Sequence, residues 1–292
     1  MSRLSLTWQI AEHEACQELK QFLKMHHISK RALADIKFRG GTILVNGREK
    51  TVRYVLRTGD EVSVIFPKET PSRSLQPENI PFERVYEDES VLVANKPASM
   101  NTIPSREHPS GSLANAVMGY YRENGIESAI HIVTRLDRNT SGLVLIAKNR
   151  YVHYLFSLMQ QNRRIRRTYE ALAEGIFTEK SGTVEAPIGR KDTSIIEREV
   201  REDGQFARTH FEVVRQYPAF AHVKLRLDTG RTHQIRVHLS YIGHPLVGDE
   251  LYGGSTALYP RQALHCSALR FEHPVSGREM SFHLEPPFLG IL

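Results

Sequence analysis

A lone carboxylate, Asp137, lies between Arg135 and Arg138 in the run of residues 133–142, and an apolar strand pattern follows at residues 143–147. If folding brings this carboxylate into a pocket beside a guanidinium, it stays ionised and poorly solvated, which suits a nucleophile. An aspartate in such a place can equally bond the backbone NH groups of its own turn. The residues alone therefore leave both a catalytic and a structural interpretation of Asp137 open.

A second segment places a cluster of arginines directly before an aromatic residue. Such cations can grip phosphates, and the neighbouring ring offers a surface for base stacking. Arginine at the end of a helix is also favoured by the helix dipole, so a solvated basic helix end is an equally good interpretation. The residues are Arg163, Arg164, Arg166 and Arg167, followed by Tyr169.

A third segment, residues 229–239, opens on a glycine turn and continues as a predicted helix. Arg231 and Arg236 could reach one site from its first turns. Zinc is a competing hypothesis because His233, His238 and His244 lie close together in sequence. Their spacing is not the i, i+4 pair of a helical metal site and no cysteine joins them, so the pattern disfavours a metal.

The composition is that of a globular protein with a basic balance, with 39 Lys and Arg against 33 Asp and Glu. This excess favours an anionic partner without choosing between nucleic acid, membrane surface and small acids. The sequence has no signal-peptide pattern and no stretch of the ~20 apolar residues that a membrane span needs, so we expect a cytoplasmic protein without a membrane partner. Cys16 and Cys266 fit neither a disulfide scaffold nor a zinc site.

Two structural units must position these residues. In the first, residues 13–26 have helical spacing, and Ser29 can cap a second helix that ends at Gly40. A strand at residues 42–45 then runs into Asn46-Gly47, the dipeptide best suited to a tight hairpin. The alternation of Val62, Val64 and Phe66 predicts a further strand with one buried face.

A proline-rich stretch separates the two units. We predict a first domain at residues 1–66, a linker at residues 67–81 and a larger domain at residues 82–292. The larger unit mixes strand and helix patterns and is therefore expected to be α+β. Its predicted helix spans residues 149–160, and its predicted strands lie near residues 84–94, 142–148, 168–174, 207–216 and 221–228.

Three motifs resemble the signature motifs of the RluA family of pseudouridine synthases: TRLDRNTSG at 134–142, RTYEA at 167–171 and GRTHQIRVHL at 230–239. Stretches at 95–100, 243–253 and 264–277 resemble the same family. This likeness spans about residues 82–286. It implies a pseudouridine synthase fold with a mixed, largely antiparallel central sheet flanked by helices. It also implies isomerisation of a uridine in rRNA or tRNA without cofactor or metal.

The resemblance also implies roles for single residues. Asp137 is expected to act as nucleophile or electrostatic partner when the bond between uracil N1 and ribose C1′ breaks, and Arg236 is expected to pair with it. Tyr169 is expected to pack on the uracil face; a proton-transfer role needs a lowered pKa, since phenol ordinarily titrates near ~10. Arg135 is the candidate to fill the space that the extruded base vacates. Substrate contacts are expected from Arg135, Arg138, Thr140, Arg231, His233 and Gln234, and RNA contacts from Arg163, Arg164, Arg166 and Arg167.

The first unit resembles an S4 RNA-binding domain through SKR at 29–31, Gly40, VNG at 45–47 and GD at 59–60, which makes Lys30 and Arg31 candidate RNA contacts. One residue departs from the family pattern, since Thr134 stands where the family most often has His. Activity is expected to survive this change. The alternatives are a non-catalytic RNA-binding or ribosome-assembly factor on the same fold, and a metal-dependent hydrolase using the histidines. A monomer is the expected state.

Overall fold

The computed structural model describes residues 3–72 and 74–291. Residues 1–2, 73 and 292, which the predicted domains and linker include, lie outside the described residues. Near the N-terminus, two helices pack on a four-stranded antiparallel sheet of order β1-β4-β2-β3. The elements are β1 (Ser5–Gln9), α1 (Leu19–Met25), α2 (Lys30–Phe38), β2 (Thr42–Val45), β3 (Arg48–Glu49) and β4 (Glu61–Ile65).

Most of the predicted local structure in this part is confirmed. The Ser29 side chain caps α2 by accepting a hydrogen bond from the Ala32 backbone NH. Asn46 and Gly47 both have positive φ, as the tight hairpin requires. The helix predicted over residues 13–26 was wrong for its first half, because Cys16 has a φ of 62° and α1 begins only at residue 19. Strand β1 was not predicted.

A ten-stranded sheet dominates the rest of the chain. Its main path runs β10-β13-β14-β9-β15-β8-β6-β5, with β16 beside β15 and β7 beside β8, and β11 and β12 form a separate small sheet. The elements are β5 (Glu83–Glu87), β6 (Val91–Lys96), α3 (Leu113–Glu123), β7 (His131–Ile132), β8 (Ser141–Ala147), α4 (Arg150–Gln161), β9 (Arg166–Glu174), β10 (Ser181–Glu185), β11 (Ile188–Arg190), β12 (Arg198–Val200), β13 (Arg208–Gln216), β14 (Phe220–Leu227), α5 (Gln234–Tyr241), β15 (Leu264–Glu272) and β16 (Glu279–His283).

The strand directions confirm a mixed, largely antiparallel sheet. Strands β8 and β15 pair in parallel, and the other pairs of the large sheet are antiparallel. The segment predicted as strand near residues 84–94 forms two strands, because the Asp88 side chain accepts hydrogen bonds from the NH groups of Ser90 and Val91 and closes a turn. No described helix is long and apolar enough to cross a membrane.

The central strands of the large sheet are buried, so the sheet provides a rigid support for a site. Every residue of β8 is buried, as expected for a strand covered on both faces. Helix α4 packs beside β8, and its Tyr151 hydroxyl donates a hydrogen bond of 2.9 Å to the His26 carbonyl of the N-terminal unit. Successive side chains of a strand point to opposite faces, so the sheet presents two distinct surfaces. Tyr169 and its neighbours on β9 alternate between the two surfaces.

Candidate functional site

The loop that carries Asp137 joins β7 to β8 and is fastened along its length. The Thr134 side chain accepts a hydrogen bond of 2.9 Å from the Leu145 NH. Further along, Thr102 accepts from the Leu136 NH and donates to the Leu136 carbonyl, at 3.0 and 2.8 Å. The residue that departs from the family pattern is therefore part of the attachment of the loop to β8.

The Lys96 side chain also holds this loop in place through hydrogen bonds to backbone carbonyls. Its side chain is fully buried, and its ammonium donates to the carbonyls of Pro97, Met100 and Arg138 at 2.8, 2.7 and 3.1 Å. These bonds use all three protons of the charged form. Burial lowers the pKa of Lys96 to about 7, and the negative charge of Asp137 opposes that shift. The lysine therefore ties the backbone beside Asp137 to the end of β6.

Gly142 is the point where the loop enters β8, and its backbone has a φ of +116°. A Cβ added there would lie 2.4 Å from the carbonyl oxygen of Cys266, far below normal contact. Glycine is required at this position for two reasons. It has no Cβ to prevent the close approach of β8 and β15, and it adopts a positive φ that other residues rarely adopt. The end of the loop is thereby fixed to the neighbouring strand.

Asp137 itself faces a cation, with its side chain 28% exposed. Its Oδ2 atom lies 3.6 Å from Nη1 of Arg236, which projects from α5 and is only 8% exposed. Asp249 grips the same guanidinium more tightly, since it accepts hydrogen bonds from Nε and Nη2 at 2.7 Å each. The predicted pairing of Asp137 with Arg236 is present, but Arg236 is shared between two carboxylates.

The pKa of the Arg236 guanidinium is raised. Burial alone would lower this pKa, but the hydrogen bonds to Asp249 and the negative charges of Asp249 and Asp137 outweigh the effect of burial. Burial lowers the pKa of His233, whose Nε2 lies 3.9 Å from Oδ2 of Asp137. Tyr252 contributes a hydroxyl 2.7 Å from Nδ1 of His233 and a ring centred 4.8 Å from the Arg236 guanidinium. Arg236 and His233 therefore face Asp137 directly, and Tyr252 contacts both of them.

Tyr169 lies nearby on β9 and is buried. Its hydroxyl accepts a hydrogen bond of 2.8 Å from Nη1 of Arg167. Burial raises the pKa of Tyr169, and the Arg167 charge counteracts this only in part. A phenol with a raised pKa stays protonated at neutral pH, so the lowered pKa that a general base needs is not present in the free protein.

Asp137, Tyr169 and Arg236 line one large concave surface, which encloses a volume of about 2120 Å³. That volume exceeds the roughly 300–1,000 Å³ of ordinary small-molecule sites, so it suits a macromolecular substrate better. Its lining includes Asp137, Tyr169, Arg236 and all six predicted substrate contacts: Arg135, Arg138, Thr140, Arg231, His233 and Gln234.

The six predicted substrate contacts differ in what they can offer. Arg135, Arg138 and Arg231 are exposed, which leaves them available to a ligand. Gln234 is buried, and its amide nitrogen donates to the Arg208 carbonyl and to the Thr209 hydroxyl at 3.0 Å each. It therefore holds the turn before α5 in shape.

The four arginines of the cluster lie in two different environments. Arg163, Arg166 and Arg167 line the concave surface, while Arg164 lies outside that lining and pairs with Glu272. Arg163 also lies 3.7 Å from Asp228. Lys30 and Arg31 are exposed at the start of α2 and do not contribute to this lining.

The three histidines of the zinc hypothesis have separate partners. His238 is buried between the Thr209 hydroxyl and the Ala186 carbonyl, each 2.9 Å away. His244 stacks on Phe177 with ring centroids 3.8 Å apart, and His233 faces Asp137. Within residues 3–72 and 74–291, no group of three His, Cys, Asp or Glu side chains is placed to hold a metal ion.

Sequence reasoning missed Lys96, Thr102, Asp249 and Tyr252 as parts of this site. Lys96, Asp249 and Tyr252 do occur in the stretches that resemble the RluA family, so a signal existed, but no spacing rule joins them to Asp137. Asp249 lies 112 residues after Asp137, and only the fold brings both to Arg236.

Known proteins of similar sequence and fold show which family this chain resembles. The profile of the family described as RNA pseudouridylate synthase matches residues 90–241. The uncharacterized RNA pseudouridine synthase YjbO of Bacillus subtilis is 50% identical, covering 92% of this chain and 95% of that protein. Ribosomal large subunit pseudouridine synthase D of Escherichia coli is 36% identical, covering 98% and 92%. The solved structure of human RNA pseudouridylate synthase domain containing 1 superposes with a TM-score of 0.60 at 24% identity, covering 75% and 87%, which supports the fold.

Proposed function

The chain belongs to the RNA pseudouridylate synthase family, and on that premise we propose that Asp137 is the carboxylate that attacks or stabilises ribose C1′. The protein is an RNA pseudouridine synthase, an enzyme that isomerises uridine within RNA. The proposal for Asp137 is supported by its half-buried position 3.6 Å from Arg236, in the concave surface that Tyr169 also lines. A carboxylate held beside a buried cation is already oriented and partly desolvated before the substrate binds.

In this proposal the N1–C1′ bond breaks, the uracil turns within the site, and the base rejoins the ribose through C5. The electron pair of the broken bond stays on the uracil; in the last step the proton leaves C5 and N1 gains a proton, so atoms balance without an oxidant or reductant. Arg236 steadies the charge of Asp137 through these steps. Tyr169 packs against the uracil ring as a neutral phenol, which is consistent with its raised pKa.

The target base must leave its stack before Asp137 can reach its ribose, which costs a few kcal/mol. Contacts between arginines and phosphates offset part of this cost. Arg135 is exposed beside Asp137 and can fill the space that the base leaves. Arg138 and Arg231, also exposed on the same surface, are proposed to hold the flanking backbone.

Replacement of Asp137 by Asn tests the assignment. The change keeps the shape of the side chain and removes its charge, so we expect pseudouridine formation to be lost while RNA affinity stays within a few fold of wild type. The control is Asp192→Asn, which alters an aspartate that is 84% exposed. Substantial turnover by Asp137→Asn would refute the catalytic role.

The substrate is proposed to be ribosomal RNA, because one relative that covers nearly the whole chain is named for the large ribosomal subunit. With this substrate, we propose that the enzyme acts in the cytoplasm and as a monomer. Pseudouridine maps of rRNA and tRNA from cells with and without this protein identify the substrate. A site that disappears only from tRNA would contradict the ribosomal proposal.

We further propose that residues 1–66 act as an S4-like RNA-binding domain, joined by residues 67–81 to a catalytic domain at residues 82–292. The exposed Lys30 and Arg31 at the start of α2 support this, since they are free to meet phosphates outside the concave surface. The domain would then hold RNA at a distance from the reacting uridine.

A further inference from the structure

The hydroxyl of Tyr252 connects the small β11–β12 sheet to His233, whose ring faces Asp137. It accepts a hydrogen bond of 3.0 Å from the Arg198 backbone NH at the start of β12. It also lies 2.7 Å from Nδ1 of His233. On the other side of the same imidazole ring, Nε2 lies 3.9 Å from Oδ2 of Asp137. These groups form a polar series that ends at the carboxylate of Asp137.

The donors and acceptors at the two ends of this series determine where its hydrogens lie. The Arg198 NH can only donate, and the Asp137 carboxylate can only accept. Among the described residues, the Tyr252 hydroxyl has the Arg198 NH and the His233 ring as its hydrogen-bond partners, so its own hydrogen can go only to Nδ1. Nδ1 is then the unprotonated nitrogen of a neutral imidazole, and Nε2 carries the hydrogen that faces Asp137.

The other states of His233 place buried groups in conflict. With a hydrogen on Nδ1, two donors converge on the Tyr252 oxygen and the hydroxyl hydrogen loses its acceptor, which is costly for a buried group. In the neutral form of that kind, a nitrogen lone pair also faces the Asp137 carboxylate. Burial raises the pKa of Tyr252, so its hydroxyl keeps its hydrogen at neutral pH. The neutral form with a protonated Nε2 satisfies every member of the series.

Tyr252 and His233 are both held in place by further contacts. The Tyr252 ring is centred 4.8 Å from the Arg236 guanidinium and meets the His233 ring edge-on, with centroids 5.7 Å apart. The Tyr252 carbonyl accepts a hydrogen bond of 2.9 Å from the Ser240 hydroxyl. His233 has a φ of 58°, and its carbonyl accepts a hydrogen bond of 2.9 Å from the Val237 NH. The two rings therefore have little freedom to exchange partners.

The charge of His233 decides the net charge around Asp137. Asp249 balances the charge of Arg236 through two hydrogen bonds of 2.7 Å, so the charge of Asp137 stays uncancelled while His233 is neutral. A cationic His233 would cancel that charge and weaken the carboxylate as a nucleophile or electrostatic partner. Burial is the largest influence on the pKa of His233 and lowers it. Of the charged groups that face the ring, Asp137 and Asp249 raise this pKa, and Arg236 and Arg198 lower it.

We propose that Tyr252 is a positioning residue that holds His233 as a neutral donor, with its Nε2–H directed at the Asp137 carboxylate. This inference rests on the proposed function and adds to it a group that controls the charge beside Asp137. At 3.9 Å the contact is longer than a hydrogen bond in the free protein. Arg236 and His233 both approach Oδ2, which leaves Oδ1 as the oxygen that meets the ribose.

Nuclear magnetic resonance of the free protein tests the hydrogen positions without RNA. Long-range proton–nitrogen spectra of isotope-labelled protein distinguish the two neutral forms of a histidine from its cation. The variant His233→Asn identifies the signals of His233, and asparagine tolerates the positive φ at this position. Wild type at pH 7 is expected to show a protonated Nε2 and an unprotonated Nδ1. A His233 that carries a hydrogen on Nδ1 at pH 7 overturns the proposal.

The variant Tyr252→Phe tests the consequence for the reaction. It removes the hydrogen bond that Nδ1 accepts, so His233 gains a proton more easily and kcat is expected to fall at acid pH. Loss of one neutral hydrogen bond changes an equilibrium by about two- to tenfold, so the ratio of kcat at pH 8 to kcat at pH 6 is expected to rise by about that factor. KM is expected to stay unchanged, because Tyr252 lies outside the lining of the concave surface.

Two further variants control this measurement. Tyr241→Phe removes an exposed hydroxyl at the end of α5 and is expected to match wild type at both pH values. In His233→Asn/Tyr252→Phe the residue at position 233 cannot titrate, so the pH dependence that Tyr252→Phe introduces is expected to disappear. Circular dichroism melting confirms that each variant folds.

The outcomes separate this inference from the proposed function. A wild-type kcat ratio in Tyr252→Phe refutes the positioning role, as does an acid loss that persists in the double variant, since a change in packing alone would then explain it. If wild type shows the expected form of His233 but makes no pseudouridine in any RNA, the proposed function fails and the hydrogen positions stand. If it makes pseudouridine with a hydrogen on Nδ1, the positioning role alone fails.

Discussion

Asp249 offers the sharpest test of how the site is built. It is 1% exposed and holds Arg236 through two hydrogen bonds of 2.7 Å, while Arg236 keeps a single longer approach of 3.6 Å to Asp137. Asp249→Ala removes the stronger partner and leaves a buried guanidinium that Asp137 compensates only in part. Breaking a buried pair in this way costs about 3–5 kcal/mol.

This loss of folding free energy corresponds to a measurable decrease in melting temperature. At about 2–4 °C per kcal/mol for a domain of this size, the melting temperature of Asp249→Ala is expected to fall by about 6–20 °C. The freed guanidinium also moves relative to Asp137, and a displacement of about 1 Å is enough for a loss of about 10²-fold in kcat/KM. Calorimetry and single-substrate kinetics measure the two effects separately.

Two variants control this experiment. Glu250→Ala changes the exposed neighbour and is expected to melt like wild type. The double variant Arg236→Met/Asp249→Leu replaces the buried pair with apolar side chains, so its stability is expected to recover while its activity stays low. If Asp249→Ala has the same melting temperature as Glu250→Ala and keeps full kcat/KM, Asp249 does not hold Arg236 in solution.

Three further predictions concern RNA binding and pH. Lys30→Ala/Arg31→Ala is expected to weaken RNA binding and reduce its salt slope by about 2 without changing kcat; an unchanged slope would contradict the S4-like proposal. Lys96 has a folded-state pKa of about 7 against an ordinary 10.5, so the unfolded chain binds more protons between those values and stability rises with pH. Lys96→Met should abolish that rise in urea unfolding at pH 7 and 9. Burial lowers the pKa of His265 to about 4, so stability should fall from pH 6.5 to pH 4, and His265→Asn should flatten this fall.

The sequence predicted the features that depend on neighbouring residues. Ser29 caps α2 and Asn46-Gly47 turns the hairpin because short-range geometry decides both. It failed where one residue changes the backbone locally, as at Cys16, whose positive φ cuts off the predicted first helix. It also could not predict the second carboxylate on Arg236, because Asp249 reaches that side chain only after the strands and α5 have packed.

The attachments around Asp137 suggest why a loop, rather than a strand or helix, can carry the proposed reaction. Lys96 holds the Arg138 carbonyl, Thr102 holds both backbone groups of Leu136, and the Thr140 NH donates to the Asp137 carbonyl at 3.1 Å. The main chain on either side of the aspartate is therefore fixed, and its carboxylate is left facing the open surface. Such fixed groups need little rearrangement when charge develops at the ribose, and that is the condition under which electrostatic stabilisation lowers a barrier most. A substitution that frees the loop backbone should therefore lower kcat even when the Asp137 carboxylate and Arg236 are both intact.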